Sequence, residues 1–196
     1  MKLKTMFRSL FFFSLIAFFI YPHQSQAQRA LPRGVNVKFE PILGFETLYR
    51  SSPTSHTVSR MTYGLRVIAG VPVIAAELEY TQGSDTETYS TAPEKIKYED
   101  QKLKLGVRTT YNFAKIMNFV ARLGGQATQT TISTTNSGIT TEEKESIKYD
   151  PYAGGAFGLY LGQSATLNIG TTVVFRDTND MKKNEYQTVI SLGVGI

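Results

Sequence analysis

From residue 35 onward the chain alternates. Val35, Val37, Phe39, Leu43, Phe45, Thr47 and Tyr49 share one parity, and Asn36, Lys38, Glu40, Gly44, Glu46 and Arg50 share the other. A period of two puts the two sets on opposite faces of a strand, and a helix would scatter them around its circumference. The pattern returns along the chain. Met61, Tyr63, Leu65 and Val67 oppose Arg60, Thr62, Gly64 and Arg66; Leu78 and Tyr80 oppose Glu77, Glu79 and Thr81. Leu103, Leu105, Val107 and Tyr111 oppose Lys102, Lys104, Gly106 and Arg108, and Phe119, Leu123 and Ala127 oppose Arg122, Gly124 and Gln126. A Gly-rich run, Tyr152 to Leu161, leaves its phase open. Two more alternating segments close the chain, Leu167 to Arg176 and Tyr186 to Ile196. The expected strands cover residues 35–50, 59–69, 72–82, 97–113, 118–130, 148–161, 165–176 and 185–196.

The connections alternate as well. Short ones fall near Gly70–Pro72, Ala114–Met117 and Gly162–Ser164, and long polar ones near Ser51–Val58, Gln82–Glu94, Thr131–Glu145 and Asp177–Asn184. Short turns on one rim and long loops on the other predict an eight-stranded antiparallel up-and-down barrel. The destination of the apolar face separates two barrels. In a soluble carrier it lines a ligand cavity, and in a membrane barrel it meets lipid while the polar set fills the interior. Here the polar set combines charge with Gly, Thr and Asn, as a narrow lumen requires. Tyr49, Tyr63, Tyr80, Tyr111 and Tyr186 lie near the ends of the apolar stripes, where an interfacial girdle belongs. The fold expected is therefore an all-β transmembrane barrel, with the soluble ligand carrier as the weaker alternative.

The first residues explain how such a chain reaches a membrane. Lys2, Lys4 and Arg8 precede the apolar run Leu10 to Tyr21, and Ser25-Gln26-Ala27 offers small residues at a cleavage site. That order is a secretory signal peptide, and the apolar run is shorter than the ~20 residues a membrane-spanning helix needs. The domain organisation expected is a signal peptide over 1–27, a periplasmic lead-in over 28–34 and a barrel over 35–196. The leader also carries three of the 21 Lys and Arg, so the remaining 18 cations face 16 carboxylates and the basic balance largely disappears. Nucleic-acid binding loses its main support. Zero cysteines exclude a disulfide framework and a thiolate site.

Taken together, the leader, eight alternating strands, three short turns and four long loops resemble the small outer-membrane barrels of the OmpA/OmpX type. The segment Tyr149-Asp150-Pro151-Tyr152-Ala153-Gly154-Gly155-Ala156-Phe157-Gly158 is similar to strands common among them. The resemblance implies residence in a Gram-negative outer membrane, contact with its lipid and lipopolysaccharide, and insertion by the barrel-assembly machinery. Such barrels usually end in an aromatic residue that this machinery reads; this chain ends in Ile196. The resemblance also implies an enzymatic alternative, because some small barrels modify lipid A with a His and a Ser. His56, with Ser84 and Asp85 in the next long loop, is the candidate set, and it requires hydrogen-bond contact between base and nucleophile.

Other motifs weigh less. Gly154, Gly155 and Gly158 lie inside a strand pattern, whereas a phosphate-binding loop must lead into a helix. Asp177, Asn179 and Asp180 lack the spacing of a calcium loop, and Glu142, Glu143 and Glu145 read as a solvated charge run. No catalytic residue, cofactor or metal is therefore assigned. The Ser/Thr-rich loops read as surface display with an extracellular partner in reach. The interior carries the sharpest expectation: an ion-paired network of Lys38, Glu40, Glu46, Arg60, Arg66, Glu77, Glu79, Lys102, Lys104, Arg108 and Arg122, with Arg50 and Arg176 on the same face. Nine cations there outnumber four carboxylates. Glu77 and Glu79 are expected to face Arg66, Lys102, Lys104 and Arg108, and Glu40 and Glu46 to reach Arg66 or Arg60. The cation excess keeps an anion-preferring, porin-like channel as the alternative to a plug.

Overall fold

A computed structural model describes residues 36–195, apart from 52–53, 72, 91–94 and 163. The segments expected to be a signal peptide (1–27) and a lead-in (28–34), with Val35 and the terminal Ile196, lie outside the described residues. Nine strands follow in chain order: β1 (Asn36–Arg50), β2 (His56–Gly70), β3 (Ala75–Thr88), β4 (Lys95–Asn112), β5 (Met117–Asn136), β6 (Ile139–Lys144), β7 (Lys148–Leu161), β8 (Ala165–Val174) and β9 (Glu185–Gly195). Each barrel strand pairs antiparallel with both neighbours, in the ring β4-β3-β2-β1-β9-β8-β7-β5, and β5 closes it by pairing with β4. Eight strands make the barrel. β6 branches from the upper part of β5.

The ring is staggered. Following direct partners from Lys148 through Thr128, Lys102, Thr81, Gly64, Ile42, Ser191 and Asn168 returns to β7 at Gly158, ten residues further along. That stagger tilts the strands and leaves an interior that side chains can fill. The tilted rows also decide which inward residues meet, so a charge is not simply opposite its partner in sequence order.

The two faces separate as the alternation requires. Outside are Phe45, Leu105, Leu123, Phe157 and Ile190, each more than half exposed; inside, Glu46, Arg60, Glu79, Lys102 and Lys104 are buried. This is the reverse of a soluble barrel: the closed wall turns its apolar residues outward and its charges inward. The Gly-rich strand β7 now has a phase. Tyr152 and Gly158 point inward, while Tyr149, Phe157 and Leu159 point outward.

The loops are shorter than expected. The segment 82–94 is strand up to Thr88 and again from Lys95, and 131–145 is largely a hairpin. Above the membrane both faces meet water, so an apolar outer face is no longer needed, and Thr-rich segments still favour paired strands. The hairpin turns through Ser137 (φ 50°) and Gly138 (φ 81°), the pair of positive φ angles that a tight two-residue turn demands. Below it, Thr131 pairs with Lys144 but Thr128 pairs with Lys148, so residues 129–130 face residues 145–147. One extra residue makes a bulge, and the Glu145 N–H donates to the Thr130 carbonyl at 2.9 Å. β6 and β7 are thus one long arm broken by a bulge.

Candidate functional site

The interior is built by every barrel strand, and its ion pairs form two levels. In the half nearer the short turns, Glu40 on β1 lies 2.7 Å from Arg66 on β2 and 3.1 Å from Arg108 on β4. Arg66 also holds Glu79 on β3 at 2.6 Å. Glu79 takes Lys104 and, at 2.7 Å, Arg122 on β5, and Arg122 continues to Glu77 at 2.8 Å. The Tyr152 hydroxyl donates to Glu77 at 2.6 Å. A cavity of 10 Å³ beside Arg66, Arg108, Arg122 and Asn168 has room for about one water.

In the half nearer the loops, Glu46 lies 2.6 Å from both Arg60 and Lys102. Lys102 reaches Glu185 on β9 at 2.6 Å, and Glu185 also binds Arg176. Arg60 continues upward to Asp100 and, at 2.8 Å, to Asp85. Lys104 and Glu185 both contact Gln187, which joins the two levels. With the Asn168 amide of β8 donating to Glu40 at 3.3 Å, eight strands are stitched by charge-assisted hydrogen bonds as well as by the backbone ladder.

Several pairs differ from the sequence expectation. Lys102 binds Glu46 and Glu185 and not Glu77 or Glu79; Arg108 binds Glu40; Glu77 takes Arg122. The stagger is the reason, since it carries long side chains across one another's strands. Lys38 is half-buried at the short-turn end and forms none of the ion pairs found among the described residues. Five lumen carboxylates were missing from the sequence reading: Asp85, Glu87, Asp100, Asp150 and Glu185. Parity could have found two of them, because Asp100 sits two before Lys102 and Glu185 two before Gln187. With them, nine carboxylates balance nine cations. The balance is uneven along the axis. Lys38, Arg66, Lys104, Arg108 and Arg122 face three carboxylates in the lower half, and Arg50, Arg60, Lys102 and Arg176 face six in the upper half.

The outer mouth holds a second cluster. Arg50 binds Asp85 at 2.6 Å and Glu87 at 2.7 Å, and its guanidinium lies 3.4 Å above the Tyr98 ring. His56 places Nδ1 2.7 Å from the Thr54 carbonyl and Nε2 2.9 Å from Glu87. Both ring nitrogens face acceptors, so the Thr54 carbonyl first and the Glu87 hydrogen bond second raise the imidazole above its ordinary pKa. Burial pushes the Glu87 carboxyl up, and hydrogen bonds from Tyr89, His56 and Arg50 outweigh it and hold the group below its usual range.

This geometry does not assemble the lipid A-modifying set. Ser84 is exposed on the outer face of β3 while His56 turns inward, and Asp85 is taken by Arg50 and Arg60. The Asp177 carboxylate accepts from the backbone N–H of Asn179 and Asp180, and Asp180 accepts from Lys182, so these oxygens close their own turn. Gly154, Gly155 and Gly158 sit within β7 with no helix following.

No protein-family model matches the chain, and no curated sequence matches it. Solved structures do. Neisserial surface protein A superposes with a TM-score of 0.58 at 11% identity, over 83% of this chain and 98% of that one. Outer membrane protein OprG from Pseudomonas aeruginosa gives 0.52 at 10% identity, over 83% and 96%. Ail, the attachment invasion locus protein of Yersinia pestis, solved with the heparin analogue sucrose octasulfate, gives 0.50 at 8% identity, over 81% and 97%. At such identities the likeness speaks for the fold. This chain has the fold of the small eight-stranded transmembrane barrels of the outer membrane, the OmpA/OmpX type that its strand pattern resembles.

Proposed function

We propose that the protein is a non-enzymatic outer-membrane barrel with a structural and surface-contact role, its lumen closed by ion pairs and its work done from the loop side. The observation that carries this reading is the continuous lumen network from Glu40 to Arg50, with nine carboxylates answering nine cations. A conducting pore needs mobile charges and a file of water, whereas Glu46, Arg60, Arg66, Glu79, Lys102 and Arg122 are each held by two or three ion-pair partners. The charge balance also removes the reason for anion preference. Planar-bilayer recording of the purified, folded protein tests it: the expected trace shows no steady conductance, and a stable anion-selective current overturns the plug.

The outer mouth speaks about ligands. The loop-side half of the lumen carries six carboxylates against four cations, so the interior below the mouth gives a polysulfated ligand of the kind solved with Ail no cationic seat. Contact through the Ser/Thr-rich strand ends and the β5–β6 hairpin, by hydrogen bonds rather than by a cationic patch, fits this surface better. Mass analysis of lipid A from cells with and without the protein tests the non-enzymatic reading. An acyl change that His56→Ala abolishes would overturn it.

A further inference from the structure

We propose that the short-turn rim is a lipid-binding surface, sunk into the inner leaflet so that its apolar turns meet phospholipid acyl chains and glycerol ester groups. The proposal rests on the outer-membrane barrel reading and adds where the membrane ends on it.

Turns that emerge into water are normally polar. Here Val71, Val73 and Ile74 form one, Phe113 and Ile116 another, and Leu161 enters the third; Ile116, Val73 and Ile74 are about 60% exposed. Lys115 is the single charge among the described residues of these turns. The patch is continuous with the outward apolar rows of the wall, namely Leu103, Leu105 and Val107 above Phe113, and Leu123 above Met117.

Length decides the matter. On β4 and β5 the outer boundary is marked by Gln101 and Gln129, direct partners on adjacent outward faces. The first apolar residues below them are Leu103 and Ala127, ten positions from Phe113 and Met117 respectively. Ten steps of about 3.3 Å, tilted by about 35–45°, span about 23–27 Å. The apolar band of such barrels is about 25 Å tall. A membrane stopping at Tyr111 and Phe119 would leave eight steps, or about 20 Å, which is too thin.

The backbone permits this depth. Val71 and Ile74 exchange reciprocal hydrogen bonds of 3.0 and 3.1 Å, as Ala114 and Met117 do at 3.4 Å, and the Tyr160 N–H donates to the Ile116 carbonyl at 2.9 Å. These bonds tie the flanking residues of each turn, and the Lys115 stem can lift its ammonium to the headgroups.

The chain contains no tryptophan, so a single introduced one reports its own surroundings. Ile116→Trp and Val73→Trp are folded into phosphatidylcholine vesicles whose acyl chains carry bromine near the headgroup end, with Leu105→Trp, on the wall just below the outer boundary, as the control. Folding is checked by the gel shift on boiling. The expected result is that all three emit to the blue of the urea-unfolded protein, lose most of their emission to bromolipid and ignore added iodide. Quenching of Leu105→Trp alone, with both rim positions open to iodide, overturns the lipid-bound rim and leaves it free for a periplasmic protein. Failure of bromolipid to quench Leu105→Trp would instead sink the membrane-barrel reading beneath it.

Discussion

Glu79 shows what a single lumen residue holds. It accepts from Arg66, Lys104 and Arg122, three cations on three strands, and it is 1% exposed. Removing its charge leaves Lys104 without a carboxylate and takes one of two from Arg66 and from Arg122. Glu79→Gln is therefore expected to destabilise the folded barrel by about 3–5 kcal/mol, read by urea unfolding in lipid vesicles. Glu99, about half exposed and paired with Lys97 on the outer wall, is the contrast: Glu99→Gln is expected to change stability by less than about 1 kcal/mol. His56 supplies a pH dependence. Its folded pKa is raised, so its contribution to holding the first loop is fully present below the unfolded value and is lost as pH rises through the folded one. The protection of the amides of residues 54–56, with the intrinsic base-catalysed rate divided out, is expected to fall from pH 5.5 to pH 8, and His56→Gln to flatten that fall.

At the scale of elements, close packing of strands fixes where side chains are allowed. A Cβ on Gly106 would lie 2.2 Å from the Tyr152 hydroxyl and 2.5 Å from the Leu123 carbonyl, one on the side chain that serves Glu77 and the other on the neighbouring backbone. Gly106→Ala is expected to lower the yield of folded, heat-modifiable protein. Gly125→Ala, with nothing within 4 Å of the new carbon, is expected to leave it unchanged. The β5–β6 hairpin is separable, because above Thr130 it pairs with the ring only through β4. Deleting residues 132–143 is expected to keep the gel shift on boiling, since the ring closes below the bulge through the pairs from Thr128–Lys148 down. Loss of the shift in that variant would show the hairpin to be part of the barrel's stability.

The whole molecule is a closed wall with its polarity reversed, and closure is compulsory because lipid offers no partner to an open strand edge. The lumen is neutral overall but graded, cationic toward the short turns and anionic toward the loops. That gradient ties each half to itself through short pairs and to the other through Gln187.

Fold and faces were legible in the chain because alternation is local: Lys102, Lys104 and Arg108 declare one side and Leu103, Leu105 and Val107 the other without reference to anything distant. Strand count and the order of short and long connections were legible for the same reason. The charged lumen residues could be named one by one, and Asp100 and Glu185 lay within reach of the same parity. The sequence also misled where water touches both faces, so Thr-rich strand ends looked like loops. Only the tertiary structure decided the partners. Whether Lys102 meets Glu79 or Glu46 depends on the ten-residue stagger of the ring, a quantity that no single strand contains and that closure imposes on all eight together.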